Sequence, residues 1–175
     1  MRGASVQILF GPLPYPIGLL YEGTCRILRQ VFMLPATNDG FNLQRFITAQ
    51  DPIFDTVCAE LREGRKRTHW MWFIFPQIAG LGGSRTSNYF AISGRAEAQA
   101  YLSHPVLGPR LSECVSLVMK IEGRTIGEIF GSPDNLKFKS CLTLFAAAAP
   151  DNQIFLEALQ KYFAGEEDEA TLSRL

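Results

Sequence analysis

From Asn42 onward, residues that start helices and residues that stop them alternate along the chain, with apolar residues three and four apart between them. This punctuation constrains the fold more than any other feature. Leu43, Phe46 and Ile47 predict a short helix. Asp51-Pro52 reads as an N-cap followed by proline at the first helical position. Ile53, Phe54, Val57, Cys58 and Leu61 then recur at helical spacing until Gly64. Ser93 is placed to cap a segment holding Ala96, Ala98, Ala100 and Leu102. His104-Pro105 opens the next segment, which Pro109 is expected to divide, and Leu111, Val115, Val118 and Met119 give it an apolar face ending at Gly123.

Thr125 to Glu128 fits a capping box, in which a hydroxyl and a carboxylate satisfy two orphan backbone donors. Ser132-Pro133-Asp134 repeats the cap-and-proline signal before a run that reaches Ala149 and Pro150. Asp151 starts a last helix with Ile154, Phe155, Ala158, Leu159 and Tyr162 on one side. No Asn-Gly or Asp-Gly hairpin with alternating flanks and no internal repeat interrupts the pattern. The expectation is an all-α, compact multi-helical single domain of about seven helices. Residues 41–164 would form it, with 1–40 as a loosely attached extension and 165–175 as a solvated acidic tail. Within 1–40, the prolines from Pro12 to Pro16 break any helix, and Cys25 to Met33 could form a short one. Met33 is a candidate natural start, which peptides recovered from residues 1–32 would refute.

The segment from Arg65 to Tyr89 is chemically distinctive. A basic run (Arg65, Lys66, Arg67) precedes His69-Trp70-Met71-Trp72-Phe73-Ile74-Phe75-Pro76-Gln77, and a glycine-rich stretch (Gly80 to Gly83) follows. Both tryptophans of the chain lie here. Trp70 to Phe75 suits a strand by aromatic content, but an isolated strand leaves its backbone groups unpaired, so a buried helix with Thr68 as its cap is expected. Its two indoles would then point about 200° apart, one inward and one free to face a pocket.

Lysine plus arginine equals aspartate plus glutamate, 17 each, so no global field draws in nucleic acid. Four scattered cysteines (Cys25, Cys58, Cys114, Cys141) and two histidines lack metal-site spacing, and no metal or cofactor is expected. Cys58 and Cys114 sit in helix-like apolar patterns where a free thiol acts as a small hydrophobe. A reducing, cytoplasmic setting fits that usage, and no apolar stretch is long enough to span a membrane. The glycine stretch matches neither Gly-x-Gly-x-x-Gly nor a Gly-Lys-Ser/Thr ending.

Asn42-Leu43-Gln44-Arg45-Phe46, Gly64 through Gln77, His104 through Leu111 and Phe130 through Asp134 resemble, in order, motifs of the domain-of-unknown-function family numbered 1810. That family is found mainly in bacteria, and members are sometimes labelled bacterial calpastatin. The resemblance covers residues 41–164. It implies a compact helical domain and supplies no established reaction.

The favoured functional expectation is a small-molecule binding domain with a pocket between helices and an anionic, nucleotide-like ligand. His69, Trp70, Trp72, Gln77, Arg85 and Tyr89 would line the pocket, with Lys66 and Arg67 at its rim. Each also has a plain structural role open to it: core for the indoles, a satisfied imidazole for His69, a solvated turn for the cations. A protein-interaction domain without chemistry is the first alternative and a nucleic-acid binder the second. Lys137 and Ser140 share a helix face as a base and nucleophile would, but no strained nucleophile turn accompanies them, and whether any reaction is catalysed stays open.

Overall fold

Phe138 to Ala148 is apolar on nearly every side, and a helix of that kind has to run through the middle of a domain. In the computed structural model, which describes residues 40–175, it does. The helix is α8 (Asp134–Ala148), and Phe138, Cys141, Leu142, Leu144, Phe145, Ala146 and Ala148 are buried around its circumference. Packed against it are α5 (Arg95–Ser103), α7 (Ile126–Phe130), α9 (Gln153–Phe163) and α10 (Glu169–Leu172). A second layer is made by α2 (Phe54–Arg62) on α6 (Leu107–Met119), and by α1 (Gln44–Gln50) on α3 (Met71–Ile74), with α4 (Arg85–Tyr89) inside the glycine loop. The expectations for residues 1–39, including a helix over Cys25 to Met33, fall outside the described residues.

The all-α class holds: the described residues contain ten helices and no strand. The helices with no sequence signal are α4 and α10, of five and four residues. A single isolated parallel bridge pairs Ile78 with Ile92. Ala79 N–H donates to Ile92 C=O (2.8 Å) and Ile92 N–H to Gln77 C=O (2.9 Å), closing the glycine loop at its base. Aromatic rings carry the core between layers. Trp70, Phe75, Phe130 and Phe138 form one cluster with neighbouring centroids 4.8–6.2 Å apart. Phe46, Tyr101, Phe145 and Phe155 form a second chain of contacts.

Several boundary expectations change. The Thr125–Glu128 capping box and the Gly64 stop are as expected, Gly64 adopting φ +67°. Pro109 does not divide its helix, because it lies in the first turn of α6, where backbone N–H groups have no intrahelical partner. Asp51 does not cap α2: it is the C-terminal cap residue of α1, and its carboxylate holds Arg110, 2.8 Å away. Ser93 is not the cap of α5; its N–H (2.8 Å) and hydroxyl (2.7 Å) both donate to the Glu97 carboxylate. The acidic tail is only partly solvated. Asp168 caps α10 and accepts hydrogen bonds from Ser140 (2.8 Å) and Thr171 (2.6 Å), while its N–H donates to the buried Thr143 hydroxyl.

Candidate functional site

Two buried carboxylates shape the segment that the sequence singled out. The first is Glu60 on α2. Its Oε2 accepts from Arg67 N–H (2.8 Å), Thr68 N–H (3.2 Å) and the Trp70 indole N–H (2.9 Å), and its Oε1 from the Thr68 hydroxyl (2.8 Å). Burial alone would push this carboxyl up, but the Arg67, Trp70 and Thr68 donors outweigh it and hold Glu60 below the usual carboxylate value. Thr68 therefore ties the turn to Glu60 and caps nothing, since α3 begins three residues after it without a side-chain cap. The second carboxylate is Glu97, paired with Arg45 at 2.6 Å, the two side chains 3% and 8% exposed. Arg45 also donates to the carbonyls of Phe41, Asn42, Tyr89 and Ala91, which pins the far end of the glycine loop.

A third charged group is tied to this segment through Lys66. Asp134, the first residue of α8, receives Lys66 (2.7 Å) on one oxygen and Lys137 (2.6 Å) on the other. Desolvation works against its charge, and the two ammonium groups overcome that to keep its carboxyl below the ordinary value. Two cations on one anion leave a local excess of positive charge. Lys137 Nζ also sits 4.0 Å from the centre of the Trp72 ring, a cation–π contact.

The half-buried Trp72 lines a recess of about 10 Å³, the room of one water molecule, together with Gln77, Gly82, Ser87, Asn88 and Phe90. Gly82 is required there, because a Cβ would lie 2.6 Å from Ser87 Cβ. Gln77 is 9% exposed, and its Nε2 meets no acceptor among the described residues. A buried amide donor without a partner is costly, which marks the recess as the place where a hydrogen-bond acceptor is wanted.

The structure thus brings together only part of the expected set. Trp72 and Gln77 share the recess. Lys66 reaches the same cluster through Asp134. Arg85 and Tyr89 lie on α4, whose Ser87 and Asn88 line the recess, but both point out to solvent, Tyr89 being 57% exposed and edge-on to Phe90. His69 is exposed on the turn before α3. Trp70 is fully enclosed with its N–H engaged by Glu60, so it is core. Arg67 pairs with Glu63 at 2.5 Å on the surface. The pocket is also far smaller than a cleft between helices.

Sequence reasoning missed Glu60, Asp134 and Asn88 as contributors. Asp134 follows the Ser132-Pro133 cap-and-proline signal with nothing to mark its lysine partners, and Glu60 sits on a helix face with nothing in its spacing to show that it faces a turn several residues later. Lys137 and Ser140 do not form a base and nucleophile: Ser140 donates to Asp168 and to Leu136 C=O, while Lys137 is held by Asp134 and Trp72. A larger, open groove of about 310 Å³ runs between the ends of α2 and α6, lined by Arg62, Glu63, Leu117, Lys120 and Glu122, with charges of both signs and no unpartnered buried polar atom. No three His, Cys, Asp or Glu side chains cluster for a metal among the described residues. No described helix is long and apolar enough to cross a membrane.

Comparison with known proteins agrees with this architecture. The crystal structure of the conserved hypothetical protein Rv1873 from Mycobacterium tuberculosis is similar to the chain at 54% identity, over 78% of this chain and 98% of that one, with a TM-score of 0.77. No functionally curated protein matches. The family model described as "Protein of unknown function (DUF1810)" matches residues 40–175, well over half of the chain and some way past the 164 expected from motifs, and the chain belongs to that family.

Proposed function

We propose that the protein binds a small anionic ligand of nucleotide-like chemistry at the mouth of the Trp72–Gln77 recess. One observation carries the reading: the unpartnered Gln77 amide donor lies beside an indole that is itself held by one of two lysines sharing a single carboxylate. An acceptor atom of the ligand, a phosphate or carboxylate oxygen, enters the one-water space and takes the Gln77 N–H. The excess charge of Lys66 and Lys137 over Asp134 attracts the anion. Arg85 and Tyr89 on α4, and His69 on the turn before α3, all exposed, contact whatever part of the ligand remains outside, because the recess has no room for a ring. Three unpaired thiols among the described residues suit a cytoplasmic setting, which is part of this proposal.

The test is thermal-shift screening with inorganic phosphate, nucleoside monophosphates and the matching uncharged nucleosides, followed by calorimetry. A ligand that binds only the folded state stabilises it by about 2.7 kcal/mol at a hundred times its Kd. The phosphorylated compounds are expected to raise Tm and the nucleosides to leave it unchanged. Lys137→Gln and Gln77→Leu should abolish the shift, and Arg85→Ala should weaken it without lowering the ligand-free Tm. Absence of any shift, or an equal shift in the Gln77→Leu and Lys137→Gln proteins, overturns the proposal. The exposed side chains of Phe41 and Tyr89, whose carbonyls Arg45 brings together, favour a protein-interaction role as the second reading. Under it the same screen is silent, and replacing both aromatics abolishes partner capture.

A further inference from the structure

The α10 segment brings one more cation to the recess. Asp168, which caps α10, is fixed on α8 through Ser140 and Thr143. Just past the end of that helix, Arg174 meets the glycine loop: a Cβ on Gly80 would lie 3.2 Å from Arg174 Nε and 3.7 Å from its Cδ. Gly80 is one of the residues lining the recess, and its φ of +87° is a conformation that favours glycine. With no side chain at position 80, the guanidinium lies against the loop itself. The recess is one water wide, so its lining residues border the same spot, and Arg174 is in contact with one of them.

The guanidinium is held in one orientation. Its Nη1 donates to Ala170 C=O (2.5 Å) and to Ser173 Oγ (3.2 Å). Nε and Nη2 meet no acceptor among the described residues, and no described carboxylate pairs with Arg174. Acids of the same stretch are engaged elsewhere, Glu166 with Lys139 at 3.3 Å and Asp168 with Ser140 and Thr171. Nε and Nη2 form one edge of the guanidinium, whose two parallel N–H bonds fit two oxygens of a single anion.

We infer that Arg174 is an anion-binding residue of this site and that the group it selects is a phosphomonoester. The inference rests on the recess being a ligand site. Gln77 takes one oxygen in the one-water space, and the guanidinium edge takes two more outside it. A phosphomonoester has three unesterified oxygens on one phosphorus and serves both; a phosphodiester or a carboxylate has two oxygens and serves one donor set only. Charge points the same way. Lys66 and Lys137 exceed Asp134 by one positive charge, Arg174 adds another, and a phosphomonoester carries about −1.5 to −2 at pH 7.

Calorimetry on the full chain tests this with the four ribonucleoside 5′-monophosphates and their methyl phosphodiesters. At least one monoester is expected to bind, and its diester to bind about tenfold or more weakly. Arg174→Gln should weaken the monoester about tenfold or more and remove its advantage over the diester, with the ligand-free Tm unchanged because the side chain is exposed. Arg174→Lys keeps the charge without the two-pronged edge and should restore only part of the affinity. Lys120→Gln, which removes a charge at the end of α6, should leave the affinity as it was. If no monoester binds, the reading of the recess falls and this inference with it. If a monoester binds and Gln77→Leu abolishes it, the reading stands; the inference is then overturned by unchanged affinity in Arg174→Gln, by equal affinity for the diester, or by an equal loss in Lys120→Gln.

Discussion

Replacing Glu60 tests whether a single carboxylate organises the aromatic segment. In Glu60→Gln the shape is kept, and a carbonyl at the Oε2 position can still accept from Arg67, Thr68 and Trp70. What is lost is charge assistance, about 0.5–1 kcal/mol for each of those bonds, partly offset because a neutral amide is easier to bury. The expected cost is about 1.5–2 kcal/mol. Glu60→Ala goes further. The fully enclosed Trp70 N–H is orphaned, at about 1–3 kcal/mol, and a small void opens, for a total near 4 kcal/mol. At roughly 3 °C per kcal/mol for a domain of this size, Tm should fall by about 5 and 12 °C. Urea melts followed by the emission of the two tryptophans, with calorimetry beside them, provide the assay.

The pH dependence gives the sharper check. The folded-state value of Glu60 lies below its unfolded value, so its contribution is full above the unfolded value of about 4.5 and is lost as pH falls through the folded one. The gap between the unsubstituted protein and Glu60→Gln should therefore be widest near neutrality and close in acid, while other carboxylates cancel between the two. Equal stability of the pair at pH 7, or a gap that stays constant down to pH 3, refutes the reasoning.

Arg45→Met strands a buried Glu97 and strips donors from the Phe41, Asn42, Tyr89 and Ala91 carbonyls, so urea melts should show a loss of about 3–5 kcal/mol, with much of it recovered in Arg45→Met/Glu97→Leu. Gly108→Ala sets a Cβ 2.0 Å from the Leu102 carbonyl oxygen, and because the obstacle is backbone the cost should be about 3 kcal/mol or more. Gly127→Ala, whose nearest neighbour would be 3.9 Å away within α7, should by contrast gain about 0.5–1 kcal/mol, and thermal melts of the two variants compare them directly.

The all-α class was legible because its signals are local: apolar spacing, the Thr125–Glu128 box and the Gly64 stop each act within one helix. The same locality explains the misreadings. Asp51 and Ser93 both have cap chemistry next to a helix start, yet each is engaged by a partner, Arg110 or Glu97, that no local rule brings near. Pro109 looked like a break because proline breaks helices in general, and only its register within α6 makes it harmless. The acidic run at 166–169 looked solvated because three of its members are exposed. The fourth, Asp168, was legible only as charge, and its use as a clasp for Ser140 and Thr171 depends on how α8 meets α10. For the candidate site, the sequence could not separate Trp70 from Trp72, because both are apolar and no local rule shows that Trp70 takes the N-cap position while Trp72 lies within α3. Glu60 makes the difference by taking one indole N–H inside.

That division of labour bears on how the recess can work. Glu60 binds the entry to α3 and the Arg45–Glu97 pair binds the exit of the glycine loop, so the two ends of the segment are held by charge-assisted bonds to backbone. The Ile78–Ile92 bridge closes the middle. Both buried carboxylates are thereby committed to holding the chain in place. Gln77 is different. It sits at the base of the same loop, between the anchors, with donors that nothing in the described fold uses. A frame this heavily tied cannot relax to satisfy that amide at small cost, and the unmet donor is worth about 1–3 kcal/mol to whatever acceptor reaches it. If the recess binds a ligand as proposed, rigid anchoring at both ends with an unsatisfied donor between them makes Gln77 a preorganised group, the penalty of desolvating the donor having been met on folding.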